Sequence, residues 1–275
     1  MEKVIITAAI TGAETTREQQ SALPVTPDEI AREAAACEKA GASIIHLHVR
    51  DDDGTPTASV ERFEECLHAI RKVSNIVVEF TTGGAIGMSD EERLEPVSLN
   101  PEMASLDCGS VNFADEILPN SLPSMRTFAM KMRELGVKPT LECFDVGHVY
   151  NAGILIREGL LVPPFHFTFV LGVPGAMPAT VESLLMMKRA LPDADLEWTG
   201  IGIGGKGSTL IPPVSALMGG HARVGFEDNI YFKKGVLAES NAQMVERIAS
   251  MVDMFGKKLA TPDDVRNRFN LKAGS

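Results

Sequence analysis

The stretch TPDEIAREAAACEKAGASIIHLHVR, residues 26–50, contains one helix and the strand that follows it. Thr26 is a favourable N-cap, Pro27 suits the first helical position, and Gly41 ends the helical pattern. The segment SIIHLHVR, 43–50, is rich in the β-branched and apolar residues of a buried strand. A helix that leads directly into a buried strand is the repeating unit of proteins with parallel sheets.

This unit recurs along the whole 275-residue chain. Strands are expected at 4–11, 43–50, 75–84, 102–110, 138–147, 165–172, 195–204 and 221–228. Helical patterns are expected at 27–41, 59–74, 89–99, 121–136, 149–160, 179–191, 211–219 and 240–256. Eight strand–helix units are typical of an α/β TIM (β/α)8 barrel, whereas a doubly wound open sheet more often has about five to seven strands. We therefore predict a single TIM-barrel domain over 1–275, in which the tail 257–275 packs on the barrel or on a partner.

The composition argues against several classes of function. A net charge of −11 disfavours a broad nucleic-acid surface, which needs a basic excess. No apolar run approaches the ~20 residues that a membrane-spanning helix requires. The four cysteines, Cys37, Cys66, Cys108 and Cys143, form no C-x-x-C pair, so we interpret them as reduced thiols. The N-terminus resembles a strand more than a signal peptide, and we expect a cytoplasmic location.

Polar side chains gather where the predicted strands end. In a TIM barrel the catalytic groups lie at the C-terminal ends of the strands and in the loops that follow. The residues at or just beyond these ends are too polar and too numerous to be core filling alone. They are Glu14, His46, His48, Arg50, Thr81, Thr82, Ser105, Asp107, Glu142, Asp145, His148, Glu227 and Asp228.

His46 and His48 are two positions apart on one strand and therefore point to the same face. Neighbouring imidazoles can chelate one ion, although two histidines hydrogen-bonded inside a polar layer of the barrel are an alternative. A metal needs a third protein ligand, and GFEDN, 225–229, supplies Glu227. Strands two and eight contribute to the same layer of a TIM barrel, so a His-His-Glu site is geometrically plausible. Asp228 is expected to point elsewhere.

Two further features favour an anion-binding pocket. Arg223 lies four residues before Glu227 on the same predicted strand, so we expect it to face inward as well. A buried arginine needs an anionic partner, and the alternatives are Asp228, a substrate carboxylate or a purely structural ion pair. FTTGG, 80–84, ends strand three with two hydroxyls and two glycines, and Ser105 lies near the end of strand four. An ordinary Thr-Gly turn is the alternative interpretation of this segment.

The stretch GIGIGGKGST, 200–209, contains two incomplete nucleotide-binding patterns. Gly207 stands where a P-loop requires Ser or Thr, and the G-x-G-x-x-G comes too late for a complete nucleotide-binding half to follow it. We therefore favour neither pattern. The loop after strand seven is a frequent phosphate site in TIM barrels, and Lys206 there is a candidate contact for a phosphorylated cofactor.

Taken together, these motifs resemble a known family. TAAITGAETTREQ, IIHLHVRDDDG, FTTGGA, PEMASLDCGSVNF, GGHARVGFEDNIYFKKG and AESNAQ occur in this order over essentially the whole chain. They closely resemble segments of the zinc-dependent β-keto acid cleavage enzymes. The resemblance implies a zinc TIM barrel that is usually an oligomer, here expected to be a homotetramer. It also implies an acyltransferase that condenses a β-keto acid with acetyl-CoA to give acetoacetate and a new acyl-CoA.

The resemblance further implies roles for individual residues. Zinc would be bound by His46, His48 and Glu227, and Asp228 would orient and activate Arg223 for proton abstraction. It also places Thr81 and Ser105 at the substrate carboxylate and Glu14 and Glu142 along the pocket, Glu14 at the far end of the substrate. We expect Thr82 and Gly83 of FTTGG to bind the substrate as well, and Glu142 to be among the catalytic groups. The segment 200–213 departs from the family pattern, so Lys206 as a CoA contact rests on the local sequence.

Two other functions are compatible with parts of the sequence. A metal-dependent hydrolase of the amidohydrolase type also uses an H-x-H pair in a TIM barrel, but typically on strand one, with further histidines at the ends of strands five and six. Here the pair lies on strand two, and only His148 occupies such a position. The second alternative is a non-catalytic metal-binding protein, and the many polar groups at the strand ends argue against it.

Overall fold

The computed structural model describes residues 3–113 and 115–272, and within them eight parallel strands close into a barrel. The strands are β1 (Ile6–Ala9), β2 (Ile44–Leu47), β3 (Val77–Phe80), β4 (Met103–Asp107), β5 (Lys138–Cys143), β6 (Phe165–Leu171), β7 (Leu196–Gly202) and β8 (His221–Val224). Each strand pairs with its neighbour in sequence, and β8 pairs with β1 to close the ring. The TIM-barrel prediction is confirmed.

Helices follow the strands around the outside of the barrel. They are α1 (Pro27–Ala40), α2 (Val60–Arg71), α3 (Asp90–Leu94, continued as a 3-10 turn at Glu95–Leu99), α4 (Leu122–Leu135), α5 (Val146–Arg157), α6 (Val181–Ala190), α7 (Gly204–Leu217), α8 (Asn241–Met254) and α9 (Pro262–Phe269). Among the described residues, no helix combines the length and the apolar composition that crossing a bilayer requires.

The helix α1 forms where its end signals predict it. The Thr26 side chain accepts a hydrogen bond from the Glu29 amide, and the Glu29 side chain accepts one from the Thr26 amide, which satisfies two otherwise unpaired donors. At the other end Gly41 takes φ 114° and donates its amide to the last carbonyls. One face of α1 is buried against the barrel through Ile30, Ala31, Ala34 and Cys37.

We predicted a glycine-rich loop followed by a helix at 211–219. This prediction is wrong, because α7 already begins at Gly204. The reason is a close approach between the end of β7 and the first turn of α7. A Cβ on Gly202 would lie 2.1 Å from the carbonyl oxygen of Gly207, so only glycine lets the two backbones meet. The glycines therefore serve helix–strand packing.

The prediction that strand eight extends to 228 is also wrong, since β8 ends at Val224. Gly225 has φ 152°, and a Cβ there would lie 2.1 Å from the carbonyl oxygen of Ala9. The chain turns at this glycine, with the Asp228 amide donating to the Gly225 carbonyl oxygen at 3.1 Å. Glu227 and Asp228 therefore sit in a turn, where the two-residue alternation of a strand no longer decides their direction.

The C-terminal segment covers the N-terminal end of the barrel. Val265 and Phe269 of α9 pack into a buried cluster with Ile5 and Val77 at the start of the strands. Arg266 donates to Glu102 at 2.6 Å, and further ion pairs join this segment to the barrel. This end is closed by protein, which leaves the opposite, C-terminal end for ligands.

Candidate active site and metal centre

A cavity of about 230 Å³ opens at the C-terminal ends of the strands. Its polar wall contains most of the residues expected from the sequence, and its remaining wall is apolar. The polar lining residues are Glu14, His46, His48, Thr81, Asp107, Glu142, Arg223, Glu227 and Asp228. The apolar lining includes Ile86, Phe113, Leu118, Phe144, Val170, Val173 and Ile203.

His46, His48 and Glu227 converge on one point of this cavity. The Nε2 atom of His46 lies 3.6 Å from Oε1 of Glu227, and Nε2 of His48 lies 3.6 Å from Oε2. One ligand atom from each residue falls within 4.8 Å of the others. Tetrahedral zinc with bonds of about 2.0–2.1 Å places its ligand atoms roughly 3.3 Å apart, so this set fits a zinc ion after small shifts.

Hydrogen bonds around the three side chains also fit a metal. Nδ1 of His46 lies 2.7 Å from Oε1 of the buried Glu79, which leaves Nε2 for coordination. Oε2 of Glu227 is buried and has no hydrogen-bond partner among the described residues. A buried carboxylate oxygen without a partner is costly, and a cation beside it would satisfy that oxygen. Thr140 donates to the other oxygen of Glu79.

The protonation states suit metal ligands as well. Burial lowers the pKa of His48 to about 4, so its imidazole is neutral at pH 7, which is the coordinating form. Burial opposes ionisation of Glu227, but the positive charges of Arg223, His46 and His48 outweigh it and lower the pKa of Glu227 to about 2. The pKa of His46 is raised, because Glu227 and Glu79 together outweigh burial and the Arg223 charge.

Next to the histidines, Arg223 joins three carboxylates. It donates two hydrogen bonds to Asp228, from Nε to Oδ2 at 3.2 Å and from Nη2 to Oδ1 at 3.0 Å. It also donates to Glu142 at 3.1 Å and contacts Glu227. The expectation that Asp228 points elsewhere is wrong, because the turn at Gly225 brings its carboxylate back to the arginine. Burial would lower the pKa of Arg223, but the three carboxylates raise it well above its usual range.

The two remaining acids of the cluster ionise less readily than ordinary carboxyls. Burial raises the pKa of Glu142 to about 8, with Arg223 opposing and Asp107 adding to the rise. Burial likewise raises the pKa of Asp228 to about 6 against the Arg223 charge. Asp107 is held by Arg93 at 3.3 Å. The cavity therefore contains acid–base groups close to neutral pH beside a fixed cation.

The expected substrate-binding residues separate into two groups. Thr81 and Gly83 line the cavity, and the Thr81 hydroxyl accepts a hydrogen bond from the Gly83 amide at 3.0 Å. Thr82 and Ser105 are fully buried behind this wall. The Thr82 hydroxyl donates to the Ser105 carbonyl oxygen at 2.6 Å, and the Thr82 amide donates to the Ser105 hydroxyl at 2.9 Å. These two residues tie the end of β3 to β4.

Three other expected residues lie away from the centre. Glu14 is an exposed side chain at the mouth of the cavity. Lys206 lies outside this cavity, in a separate surface hollow beside the start of α7. His148 is used within the fold, since its Nδ1 accepts from the Phe144 amide at 3.2 Å and its Nε2 lies 3.3 Å from the Ser110 carbonyl oxygen. His148 therefore contributes no ligand to the His46 site, which disfavours the amidohydrolase alternative.

Fold and site together define a TIM-barrel enzyme whose cavity combines a candidate metal-binding set, His46, His48 and Glu227, with a buried arginine–carboxylate cluster. The family description "beta-keto acid cleavage enzyme" matches residues 3–271, and the chain belongs to that family. The resemblance inferred from the sequence motifs is confirmed.

Individual relatives agree with this assignment. The chain is 48% identical, over 99% of both sequences, to the 3-keto-5-aminohexanoate cleavage enzyme of Fusobacterium nucleatum. It is 46% identical to the protein of that name from Acetoanaerobium sticklandii, over 97% of both. It is 37% identical to the 3-oxoadipate:acetyl-CoA acetyltransferase of Cupriavidus necator, over 95% of this chain and 93% of that one. The solved apo structure of ObcA superposes with a TM-score of 0.76 at 20% identity, covering 92% of this chain and 66% of that chain, and supports the fold.

Proposed function

We propose that this protein condenses 3-keto-5-aminohexanoate with acetyl-CoA to give acetoacetate and 3-aminobutyryl-CoA. The observation that carries the proposal is one cavity in which His46, His48 and Glu227 face the Arg223–Asp228 pair. Family membership adds the reaction class, and the two relatives above 45% identity carry the name of a cleavage enzyme for this keto acid.

We propose Zn²⁺ as the metal, bound by His46, His48 and Glu227. The converging ligand atoms, the partnerless Oε2 of Glu227 and the neutral His48 support it. A zinc ion there would polarise the keto oxygen and stabilise the negative charge that develops when C2 is deprotonated. Glu79 keeps the His46 ring in the orientation that directs Nε2 to the site.

The geometry favours Asp228 as the base, with Arg223 as its positioning partner. This reverses the division of roles that the family resemblance implies. Arginine is protonated at any ordinary pH, and Arg223 is surrounded by the carboxylates of Asp228, Glu142 and Glu227. It has no tendency to accept a proton there. Its two hydrogen bonds fix the Asp228 carboxylate at the cavity wall, where it can take a proton from C2 of the substrate.

The bonds and protons of the proposed reaction balance as follows. Removal of the C2 proton gives a carbon nucleophile, which forms a bond to the acetyl carbonyl carbon of acetyl-CoA. The thiol of CoA transfers within the adduct to the original keto carbon, C3. The C2–C3 bond then breaks, and the proton returns to C2. C1 and C2 of the keto acid leave in acetoacetate, and C3 onward leaves as the new acyl-CoA.

The substrate carboxylate would be held by the Thr81–Gly83 turn. Thr81 accepts from the Gly83 amide, so its own hydroxyl proton is free for the substrate. Burial raises the pKa of Glu142 to about 8, so this group exchanges a proton near neutral pH, and its protonated form would supply a second donor. Beneath this turn, the hydrogen bonds between Thr82 and Ser105 hold the ends of β3 and β4 together. Glu14 at the mouth of the cavity favours a substrate with an amino group at its far end.

A substrate panel tests the proposed specificity. The protein loaded with zinc is incubated with acetyl-CoA and, separately, 3-keto-5-aminohexanoate, 3-oxoadipate or an uncharged β-keto acid, and kcat/KM is measured for each. The amino-bearing acid is expected to be the best substrate. A preference for 3-oxoadipate would contradict the specificity while leaving the reaction class intact. We also propose a cytoplasmic homotetramer, and sedimentation equilibrium measures its mass.

A further inference from the structure

A second hollow, of about 700 Å³, lies beside the first turns of α7. Its wall carries three lysines, Lys206, Lys233 and Lys234, together with Thr209 and Tyr231. Lys206 and Thr209 belong to the first turns of α7, whereas Tyr231, Lys233 and Lys234 belong to the hairpin formed by Tyr231–Lys233 and Val236–Leu237. All three lysines are exposed.

These lysines form a positive surface in an acidic protein. The net charge is −11, yet no ion pair joins Lys206, Lys233 or Lys234 to a carboxylate anywhere in 3–113 and 115–272. Lys206 also stands in the first turn of α7, where the helix dipole disfavours a cation. Three neighbouring cations without counterions, on a concave surface, produce a local field that attracts anions.

The hollow adjoins the active-site cavity. Ile203 and Asp228 line the cavity, whereas Gly205 and Tyr231 line the hollow. The two chain segments between them are joined by the Gly204 amide, which donates to the Asp228 carbonyl oxygen at 2.9 Å. Gly205 is two residues from Ile203, and Tyr231 is three residues from Asp228, which correspond to at most about 7 and 11 Å of chain, so the two openings are close neighbours on the same face of the barrel.

We propose that the hollow binds the phosphates of the nucleotide half of acetyl-CoA. Lys206, Lys233 and Lys234 contact the 3′-phosphate and the pyrophosphate, and the exposed ring of Tyr231 offers a stacking surface for adenine. The pantetheine arm then passes Ile203 and brings the thioester into the cavity. The inference rests on the proposed function, because it assigns the co-substrate of that reaction to a place on the surface.

The test compares two triple variants with equal changes in net charge. One is Lys206→Gln/Lys233→Gln/Lys234→Gln. The control is Lys39→Gln/Lys72→Gln/Lys258→Gln, which removes three exposed lysines near the opposite end of the barrel. The first variant is expected to raise the KM for acetyl-CoA about tenfold or more, to leave kcat and the KM for the keto acid unchanged, and to weaken the salt dependence of that KM. The control variant is expected to behave as the wild type.

Acetyl-pantetheine, which lacks the nucleotide, separates this site from the chemistry. The lysine variant and the wild type are expected to use it equally well. An equal loss with both thioesters, or no loss with either, would overturn the proposal. Calorimetric binding of adenosine 3′,5′-bisphosphate gives a readout without turnover, and binding by the wild type and control but not by the lysine variant supports the site even where no acyl-CoA forms.

If the wild type does not bind adenosine 3′,5′-bisphosphate, the proposed phosphate site is refuted. The proposed function is tested separately, by the formation of acetoacetate and a new acyl-CoA. A change of oligomeric mass in the lysine variant with unaltered bisphosphate binding would assign the hollow to a subunit contact and also overturn the proposal.

Discussion

Oε1 of Glu79 lies 2.7 Å from Nδ1 of His46, on the side of the imidazole ring that faces away from Glu227. The contact continues inward, because Thr140 donates to Glu79 and lies 3.3 Å from Nδ1 of His166. A chain of buried polar side chains thus fixes the orientation of His46, one of the proposed metal ligands. Such a partner sets the tautomer of a ligating histidine and raises its basicity.

Glu79→Gln is therefore expected to weaken zinc binding roughly 10–100-fold while leaving the fold intact. The amide is nearly isosteric but carries no charge to support the imidazole. Competition with a chromophoric chelator measures the affinity. Glu182→Gln, at an exposed position in the first turn of α6 that does not line the cavity, is the matched control. Unchanged affinity in Glu79→Gln would remove Glu79 from the metal site.

A second substitution pair decides between two possible ligand sets. His46 lies within reach of His48 and Glu227, but also of Glu79 and Glu142. If His46, His48 and Glu227 bind the metal, His48→Ala is expected to contain about one zinc per chain less than the wild type, and Glu142→Gln as much zinc as the wild type. The opposite pattern, read by atomic emission on protein of verified folding, would assign the metal to the carboxylate-rich set.

The division of roles between Arg223 and Asp228 is measurable as hydrogen exchange. Asp228→Asn removes the base and is expected to lower kcat about 10²–10⁴-fold, together with enzyme-catalysed deuterium exchange at C2 of the keto acid. Arg223→Lys keeps a cation beside Asp228 and is expected to retain part of that exchange. Exchange that survives in Asp228→Asn but disappears in Arg223→Lys would make the arginine the base.

His166 is expected to make the free energy of unfolding decrease at acidic pH. Burial lowers its pKa to about 4, and its Nε2 lies 2.9 Å from the Thr199 hydroxyl. Because the folded-state pKa lies below the unfolded value of ~6.5, the contribution is fully present above pH 6.5 and is lost as the pH falls toward 4. The loss corresponds to about 2–3 kcal/mol between pH 7 and 4.5.

Urea unfolding at several pH values checks this contribution. In His166→Gln the free energy of unfolding should fall by about 2–3 kcal/mol less over that interval than in the wild type. His68→Gln, on an exposed position of α2, is the control. Parallel pH profiles for the wild type and His166→Gln would refute the assignment.

The sequence predicted the features that depend on local periodicity. Two-residue alternation placed His46 and His48 on one face, and strand–helix alternation predicted the barrel. Directions set by tertiary contacts were not predictable in this way. Asp228 meets Arg223 because Gly225 turns against the Ala9 carbonyl, and α7 starts early because Gly202 and Gly207 touch. The first contact joins distant segments, and the second depends on how the chain turns after β7, which the residue pattern alone does not specify.

Glu79 was missed although a signal for it exists. It is a charged residue inside the otherwise apolar NIVVEF, 75–80, two positions before Thr81, and so points into the barrel with it. A buried carboxylate at that position needs a partner, and the histidine pair of the neighbouring strand was available. The roles of Thr82 and Ser105 depended on side-chain contacts between strands, which the sequence does not specify.

The fate of labelled acetyl carbons tests the account most directly. Zinc-loaded protein is incubated with 3-keto-5-aminohexanoate and acetyl-CoA carrying ¹³C in both acetyl carbons, and the products are analysed by mass spectrometry. The account predicts acetoacetate that contains both ¹³C atoms at C3 and C4, and an unlabelled 3-aminobutyryl-CoA. Label in the newly formed 3-aminobutyryl-CoA, or cleavage of the keto acid that proceeds without acetyl-CoA, would contradict it.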